Sequence, residues 1–348
     1  MAKKYSIKDV AERAGVSKAS VSYALNGVKK ISEKTRQKIF KAIEELEYEP
    51  NLAARSLSSG KSKLVGVILP ITETGDVTSD LLEKNPFFSE FISGLSYVLS
   101  QYDYDLLLSG MNSNITYSNW IARRRLDGII LLGIYPKTIY EEIKKLNIPT
   151  VLSDVYEEYA QDFHCVHVDD EYGSYLATRH LLDLGHKRIG FASGTIKSSK
   201  VNLKRFNGYK KALREEKIEI DENLIFETNV TFEGGLDVAE YILEKKIQLD
   251  GLVVVADIMA IGVMKYFQDN GYIIPNDLSI IGFDDIRYAR YCSPGLTTIN
   301  QDVVKKGMLS AELIIKELET KETSKESIVI TPKLIVRGST TNKKEEKI

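Results

Sequence analysis

The sequence predicts an α/β protein in which a small helical module precedes a larger body of two lobes built on parallel sheets. Two observations carry this expectation. Apolar residues recur at helical spacing over residues 7–46, and eight β-rich runs alternate with amphipathic helical stretches beyond residue 63. Runs separated by 10–25 residues of helical pattern are typical of βαβ units, whose strands lie parallel.

Charge divides the chain at the same point. Residues 1–63 contain fourteen Lys and Arg against seven Asp and Glu, whereas the remainder contains 33 basic and 42 acidic residues. A basic module on an acidic body is typical of polyanion binding, although a lysine-rich solvated surface gives the same count. No apolar run is long enough for a membrane span, and the N-terminus lacks the apolar stretch of a signal peptide. Cys165 and Cys292 follow no metal spacing, so we expect reduced thiols in a cytoplasmic protein.

Three short helices are predicted at the N-terminus. The first begins after Ser6 and ends at Gly15, the second begins at Ser17, and the third follows Ser32. Serine is a favoured N-cap because its hydroxyl accepts a hydrogen bond from an unpaired backbone N–H. Two short helices joined by a Gly-containing turn and supported by a third form the helix-turn-helix layout. A plain three-helix bundle has the same periodicity.

The second helix carries the side chains expected to read DNA. Val21 and Leu25 share one sector, whereas Ala19, Ser22 and Tyr23 share the opposite one. In a helix-turn-helix module this outer sector lies in the major groove. An alanine methyl can contact thymine there, and a tyrosine can stack or donate a hydrogen bond.

The stretches IKDVAERAGVSKASVSYALNG and ISEKTRQKIFKAIEELEYEPNLAARSL resemble the DNA-binding headpiece of the LacI/GalR family of bacterial transcription regulators. The resemblance implies a helix-turn-helix headpiece over residues 1–50 and a hinge helix and linker over 51–61, with paired hinge helices in the minor groove. Leu57 matches the family's wedge leucine, whereas Tyr23 stands where many members carry arginine. The residues expected at the DNA are Ser6, Lys18, Ala19, Ser22, Tyr23, Asn26, Asn51, Ala54, Arg55 and Leu57.

The stretches NPFFSEFISG, HLLDLGHKRIGF and DIMAIGVMKYFQDNGYIIPNDLSIIGFDD resemble the periplasmic-binding-protein-like core of the same family. The resemblance implies an effector-binding and dimerisation core over residues 62–340, followed by a tail over 341–348. The chain is expected to cross between the lobes near residues 164, 291 and 323. The implied N-lobe holds residues 64–163 and 292–322, and the implied C-lobe holds residues 164–291 and 323–340.

An effector is expected in the cleft between the lobes, because ligands bind outside the carboxyl ends of parallel strands. By the resemblance, Arg205 matches an arginine that commonly contacts the effector, Asp284 matches an acidic ligand-binding residue, and Gln301 lies in a segment that often reaches the cleft. The alternative explanations are a surface ion pair for Arg205 and core packing for Phe87 or Phe88. The residues expected at the effector are Asn85, Phe87, Phe88, Asp154, Arg205, Asp284 and Gln301.

The sequence therefore predicts a homodimeric, sequence-specific transcription regulator, of a family whose members are most often repressors, with operator DNA and a sugar or sugar derivative as partners. One alternative keeps the DNA binding but replaces effector control by a phosphorylated carrier protein. A second is a sugar-metabolising enzyme, although no catalytic group is identifiable beside Asp284 and Asp285. The four histidines lack metal-ligand spacing, so we expect no metal. We also expect no cofactor and no membrane contact.

Overall fold

A computed structural model describes residues 5–25, 28, 30–48, 61–69, 82, 84–110, 117–133, 135–322 and 324–343. These residues form three N-terminal helices and, beyond them, two six-stranded sheets with helices on their faces. No helix within these ranges is both long and apolar enough to cross a membrane. The helical headpiece and the two-sheet core are described separately below.

The headpiece consists of α1 (Ile7–Ala14), α2 (Lys18–Leu25) and α3 (Glu33–Glu45). The three helices pack through a small apolar core of their own, because each presents a stripe of apolar residues at helical spacing. The prediction that Val21 and Leu25 share the inward sector of α2 is confirmed, because Val21 is buried in this core and Leu25 packs against it. The buried residues of this core include Val10, Ala11, Val21, Ala24, Ile39 and Ala42.

Each headpiece helix begins at the serine that the sequence predicts. The Ser6 hydroxyl donates to the Asp9 carboxylate at 2.6 Å, and the same carboxylate accepts the Ser6 N–H at 2.7 Å. The hydroxyls of Ser17 and Ser32 each accept from the backbone N–H three positions further on, at 3.1 and 3.2 Å. Gly15 ends α1 with φ at 64°, a left-handed conformation that costs glycine no steric strain.

The first sheet, with the helices packed on it, forms the N-lobe of the core. Its strand order is β11-β5-β4-β3-β1-β2. The strands are β1 (Leu64–Leu69), β2 (Asp105–Gly110), β3 (Gly128–Leu132), β4 (Thr150–Ser153), β5 (His164–Val168) and β11 (Ser327–Ile330). The helices are α4 (Pro86–Gln101), α5 (Tyr117–Arg124), α6 (Lys137–Leu146) and α11 (Val303–Thr320). Strands such as β3 and β4 are buried throughout, as expected for a parallel sheet covered on both faces.

The second sheet and its helices form the C-lobe, with the strand order β12-β10-β9-β8-β6-β7. The strands are β6 (Ile189–Ser193), β7 (Ile225–Glu227), β8 (Gly251–Val254), β9 (Ser279–Asp284), β10 (Thr297–Asn300) and β12 (Lys333–Ile335). The helices are α7 (Asp170–Asp183), α8 (Lys200–Glu215), α9 (Phe232–Glu244) and α10 (Asp257–Asp269). Neighbouring strands of this sheet run parallel, except that β12 runs antiparallel to β10.

The connections between the two sheets lie further along the chain than the sequence predicts. Strands β5 and β11 pair within the first sheet, and β10 pairs with β9 in the second. The chain therefore changes sheet after residues 168, 300 and 330 instead of near residues 164, 291 and 323. The difference arises because the short strands β5, β10 and β11 each complete a pairing in one sheet before the chain leaves it, and local periodicity does not reveal to which sheet a short strand belongs.

Candidate functional site

The outer face of α2 is the candidate nucleic-acid interface of the headpiece. Lys18 and Ala19 are exposed, Ser22 and Tyr23 are partly exposed, and Val21 between them is fully buried. The helix is therefore anchored by one sector while the other presents side chains of different shape. A short helix with such a face, supported by two others, has the dimensions to enter the major groove of DNA.

Only some of the other predicted DNA contacts lie within the residues that the structure describes. The Lys30 ammonium lies 5.7 Å from the centroid of the Tyr23 ring, which places a positive charge beside the outer face of α2. Ser6 is exposed at the start of α1, where its N–H and hydroxyl are hydrogen-bonded to the Asp9 carboxylate. The remaining predicted contacts lie outside the described residues; they are Asn26, Asn51, Ala54, Arg55 and Leu57.

Arg205 on α8 lies at the C-lobe side of the cleft and is 8% exposed. Its Nε donates to Asp170 Oδ1 at 2.7 Å, and its Nη1 donates to the Val255 carbonyl. Its guanidinium carbon lies 3.7 Å from the centroid of the Phe283 ring. Burial opposes the charge, but the carboxylates of Asp170 and Asp284 raise the pKa of Arg205 above its ordinary value. A charged, rigidly held donor therefore faces the cleft.

Asp284 ends β9, and Gln301 follows the neighbouring strand β10. The Gln301 Nε2 donates to Asp284 Oδ1, and Arg205 Nη1 lies 4.0 Å from the same oxygen. Burial raises the pKa of Asp284 to about 7, against the opposing effects of the Arg205 guanidinium and the Gln301 amide. Near neutral pH this carboxyl group can therefore act as acceptor or donor toward a hydroxyl.

Asp154 follows β4 at the N-lobe side of the cleft and meets a lysine that the sequence analysis did not single out. The Lys306 Nζ donates to Asp154 Oδ1 at 2.7 Å, to Asp154 Oδ2 at 2.8 Å and to Gln301 Oε1 at 2.5 Å. Lys306 is fully buried on α11, and its ammonium lies 5.5 Å from the centroid of the Phe87 ring. Asp154 and Asp284 are thus joined through Lys306 and Gln301.

The NPFF segment begins α4 at the N-lobe. Asn85 Oδ1 accepts from the Phe87 N–H at 3.1 Å, so Asn85 is the N-cap of this helix. The rings of Phe87 and Phe88 meet edge to face with centroids 5.4 Å apart, and both are partly buried. Phe87 brings this segment to the polar groups through its contact with the Lys306 ammonium.

Comparison with known proteins is consistent with this geometry. Residues 6–51 match the family described as bacterial regulatory proteins, lacI family, and residues 178–340 match the periplasmic binding protein-like domain. The chain is 35% identical over 331 residues to catabolite control protein A of Priestia megaterium, and the aligned residues cover 94% of this chain and 96% of that protein. The chain belongs to the LacI family. This LacI-family chain is also 31% identical over 338 residues to the ribose operon repressor of Haemophilus influenzae, covering 96% and 98% of the two chains.

Solved structures agree with the LacI-family assignment. A LacI family regulator from Enterococcus faecium with bound ribose is 28% identical, with a TM-score of 0.69 over 80% of this chain and 99% of that one. The lac repressor dimer bound to operator and the anti-inducer ONPF has a TM-score of 0.82 over 97% of this chain and 100% of that one, at 24% identity, and so shows the shared fold. This LacI-family chain is therefore a DNA-binding transcription regulator, and the enzyme alternative is not supported.

Two further residues that the sequence analysis missed complete the polar groups of the LacI-family cleft. The Tyr156 hydroxyl lies 2.5 Å from Asp170 Oδ2 and 2.6 Å from the Val168 carbonyl. Close packing of α7 on α8 brings Asp170 to the cleft, because a Cβ at Gly208 would lie 2.0 Å from the Glu171 carbonyl oxygen. We call the connected set the cleft network; it comprises Asp154, Tyr156, Asp170, Arg205, Asp284, Gln301 and Lys306.

Proposed function

We propose that this chain represses transcription as a homodimer on operator DNA, and that a sugar or sugar derivative in the interlobe cleft sets its operator affinity. The observation that carries the effector part is the convergence of Arg205, Asp284 and Gln301, all buried, at the carboxyl ends of parallel strands. The bound ribose of the Enterococcus faecium relative supports the same class of ligand.

The chemistry of the cleft suits a polyol. A sugar hydroxyl both donates and accepts, so it can accept from the Arg205 guanidinium while donating to Asp284 or Asp154. The Phe87 ring supplies an apolar surface beside these groups, as ligand sites with few fixed polar contacts require. A ligand small enough to enter the cleft is therefore favoured over a carrier protein that docks on an outer face.

Reciprocal coupling between effector and operator tests the proposal. We expect a duplex selected from random sequence to bind the full chain with an affinity that one sugar changes by about 5- to 150-fold, which is the usual range of allosteric coupling. The measurement is fluorescence anisotropy of the duplex over a panel that begins with ribose and cellobiose. Operator must in turn change the affinity of the chain for that sugar by the same factor. Equal sugar affinity with and without operator contradicts effector control.

Tyr23 is expected to contribute to the choice of operator. Replacing Tyr23 with alanine should change the half-site that is selected from random duplexes, because the ring and its hydroxyl lie on the outer face of α2. Tyr23→Phe isolates the hydroxyl, and Lys30→Gln removes the adjacent charge without altering the ring. The phenylalanine variant should retain any preference that depends on ring contact alone. An unchanged selected sequence in Tyr23→Ala would remove this residue from the reading face.

A further inference from the structure

Lys306 is a charged side chain in an apolar position. It is fully buried, and it shares the inward side of α11 with Val303, Ala311 and Ile314. Burying an ammonium is costly unless it is paired and hydrogen-bonded. A leucine or methionine would fill such a helix position without that cost, so the lysine points to a role beyond packing.

The contacts of Lys306 account for all of its hydrogen-bonding capacity. An ammonium has three donors, and the three acceptors around it are the two oxygens of Asp154 and the Oε1 of Gln301. Asp154 is one of the two carboxyl groups to which a sugar hydroxyl donates under the proposed function. The ammonium therefore occupies both oxygens of an acceptor that such an effector would use.

One of these contacts leads to the C-lobe. Lys306 on α11 and Asp154 after β4 both belong to the N-lobe, whereas Gln301 stands where the chain leaves β10 of the C-lobe and donates through Nε2 to Asp284. The hydrogen bond between Lys306 and Gln301 thus joins α11 to the C-lobe side of this connection. A rotation of the lobes that moves Gln301 away from α11 must lengthen this hydrogen bond.

We propose that Lys306 is an internal ligand of the cleft, which holds the lobes together in the absence of a small molecule and is displaced by the effector. The displacing compound is a polyol whose neighbouring hydroxyls donate to both oxygens of Asp154. This second statement rests on the proposed effector control, whereas the interlobe connection through Lys306 does not.

Chemical rescue tests the internal ligand directly. Lys306→Ala in the full chain leaves a space shaped for a propylammonium ion beside Asp154, because alanine keeps Cβ and removes three carbons and the nitrogen. We expect n-propylammonium to bind this variant saturably at one site per chain, measured by calorimetry and by the thermal unfolding transition. Wild type should not bind it, and n-propanol, which has the same carbon chain without the charge, should bind neither protein. Absence of saturable binding to a folded Lys306→Ala chain overturns the proposal.

Lobe separation gives a second measurement that does not depend on the alanine variant. Spin labels at the exposed positions of Lys137→Cys and Lys265→Cys report the distance across the lobes of one chain by pulsed electron paramagnetic resonance, with Cys292→Ser to prevent labelling there. Dilution of labelled chains into unlabelled ones removes the distances between protomers of the proposed homodimer. Lys306→Met should broaden and lengthen this distance distribution. The matched control is Lys200→Met, which removes an exposed cross-lobe ion pair with Glu157 at 2.6 Å and should leave the distribution nearly unchanged. An unchanged distribution in Lys306→Met contradicts the proposal.

Sugar affinity separates the two parts of the inference. A sugar that binds wild type should bind Lys306→Met about tenfold more tightly, because no ammonium has to be displaced first. Weaker binding would mean that the effector contacts Lys306 directly, which overturns displacement. If no sugar binds either chain, effector control fails, while n-propylammonium binding still tests the internal ligand and the distance measurement still decides whether Lys306 holds the lobes.

Discussion

Replacing Arg205 with methionine is expected to lower the free energy of unfolding of the core by about 3–5 kcal/mol, the usual cost of breaking a buried ion pair from one side. The guanidinium donates to Asp170 at 2.7 Å, and Asp170 is 1% exposed. Methionine preserves the volume against the Phe283 ring but leaves a buried carboxylate without its cation. The measurement is urea denaturation of the full chain followed by circular dichroism.

Two variants distinguish this effect from a general loss of surface charge. Arg179→Met removes a comparable contact at 2.7 Å between Arg179 and Asp183, whose side chains are 31% and 59% exposed. Solvent screens such pairs, so the expected loss is below about 1 kcal/mol. The double variant Arg205→Met with Asp170→Asn removes the stranded carboxylate and should recover part of the loss. Equal losses of unfolding free energy in Arg205→Met and Arg179→Met would show that burial does not increase the contribution of the ion pair to stability.

Asp284→Asn is expected to change the pH dependence of stability. Burial raises the pKa of Asp284 to about 7, so over about pH 4 to 7 the folded chain holds a proton that the unfolded chain has released. The stability linked to this group is therefore present at low pH and is lost as the pH rises through 7. Wild type should lose about 2–3 kcal/mol relative to Asp284→Asn between about pH 5 and 8.

The comparison requires denaturation curves of both chains at several pH values. Asparagine resembles the protonated carboxyl group and does not titrate, so groups that do not interact with Asp284 cancel in the difference between the chains. Asp257 does not cancel, because its pKa is raised by burial and by the nearby Asp284 carboxylate. Asp269→Asn is the control, because Asp269 is exposed in a helical pair with Lys265. A constant difference between wild type and Asp284→Asn across this range would mean that Asp284 is already ionised when the chain is folded at low pH.

Local signals made the headpiece predictable. The caps at Ser6, Ser17 and Ser32 and the helix end at Gly15 depend on residues three or four positions apart, which the sequence displays directly. All eight β-rich runs became strands. Those that are buried throughout, such as β3 and β8, are continuous apolar runs, which is typical of strands covered on both faces. The short strands β7, β10, β11 and β12 carry no such signal.

The cleft was predicted in part. Resemblance to a known family led to Arg205, Asp284, Gln301 and Asp154, and the structure joins these four in one network. Their roles at an effector remain predictions. Lys306 had a visible signal, because it is a lysine at the spacing of the buried face of α11.

Tyr156 had no comparable signal, and although Asp170 follows β5 closely, nothing local pointed to its contacts. Their contacts depend on the approach of α8 to α7 and on the crossing after β5, which join residues such as Asp170 and Arg205 that are 35 positions apart. A sequence read alone shows neither the approach of two helices nor the sheet to which a short strand belongs.

The three connections between the sheets have a mechanical consequence. They lie side by side, since the Asp169 N–H donates to the Ile330 carbonyl at 3.0 Å and Asn300 pairs with Lys333 between β10 and β12. Only residues 331–332 separate β11 from β12, and two residues span at most about 7 Å. Three short connections on one line restrain sliding more than rotation, so we expect the lobes to rotate about this line. We therefore expect a ligand in the cleft to change the angle between the lobes.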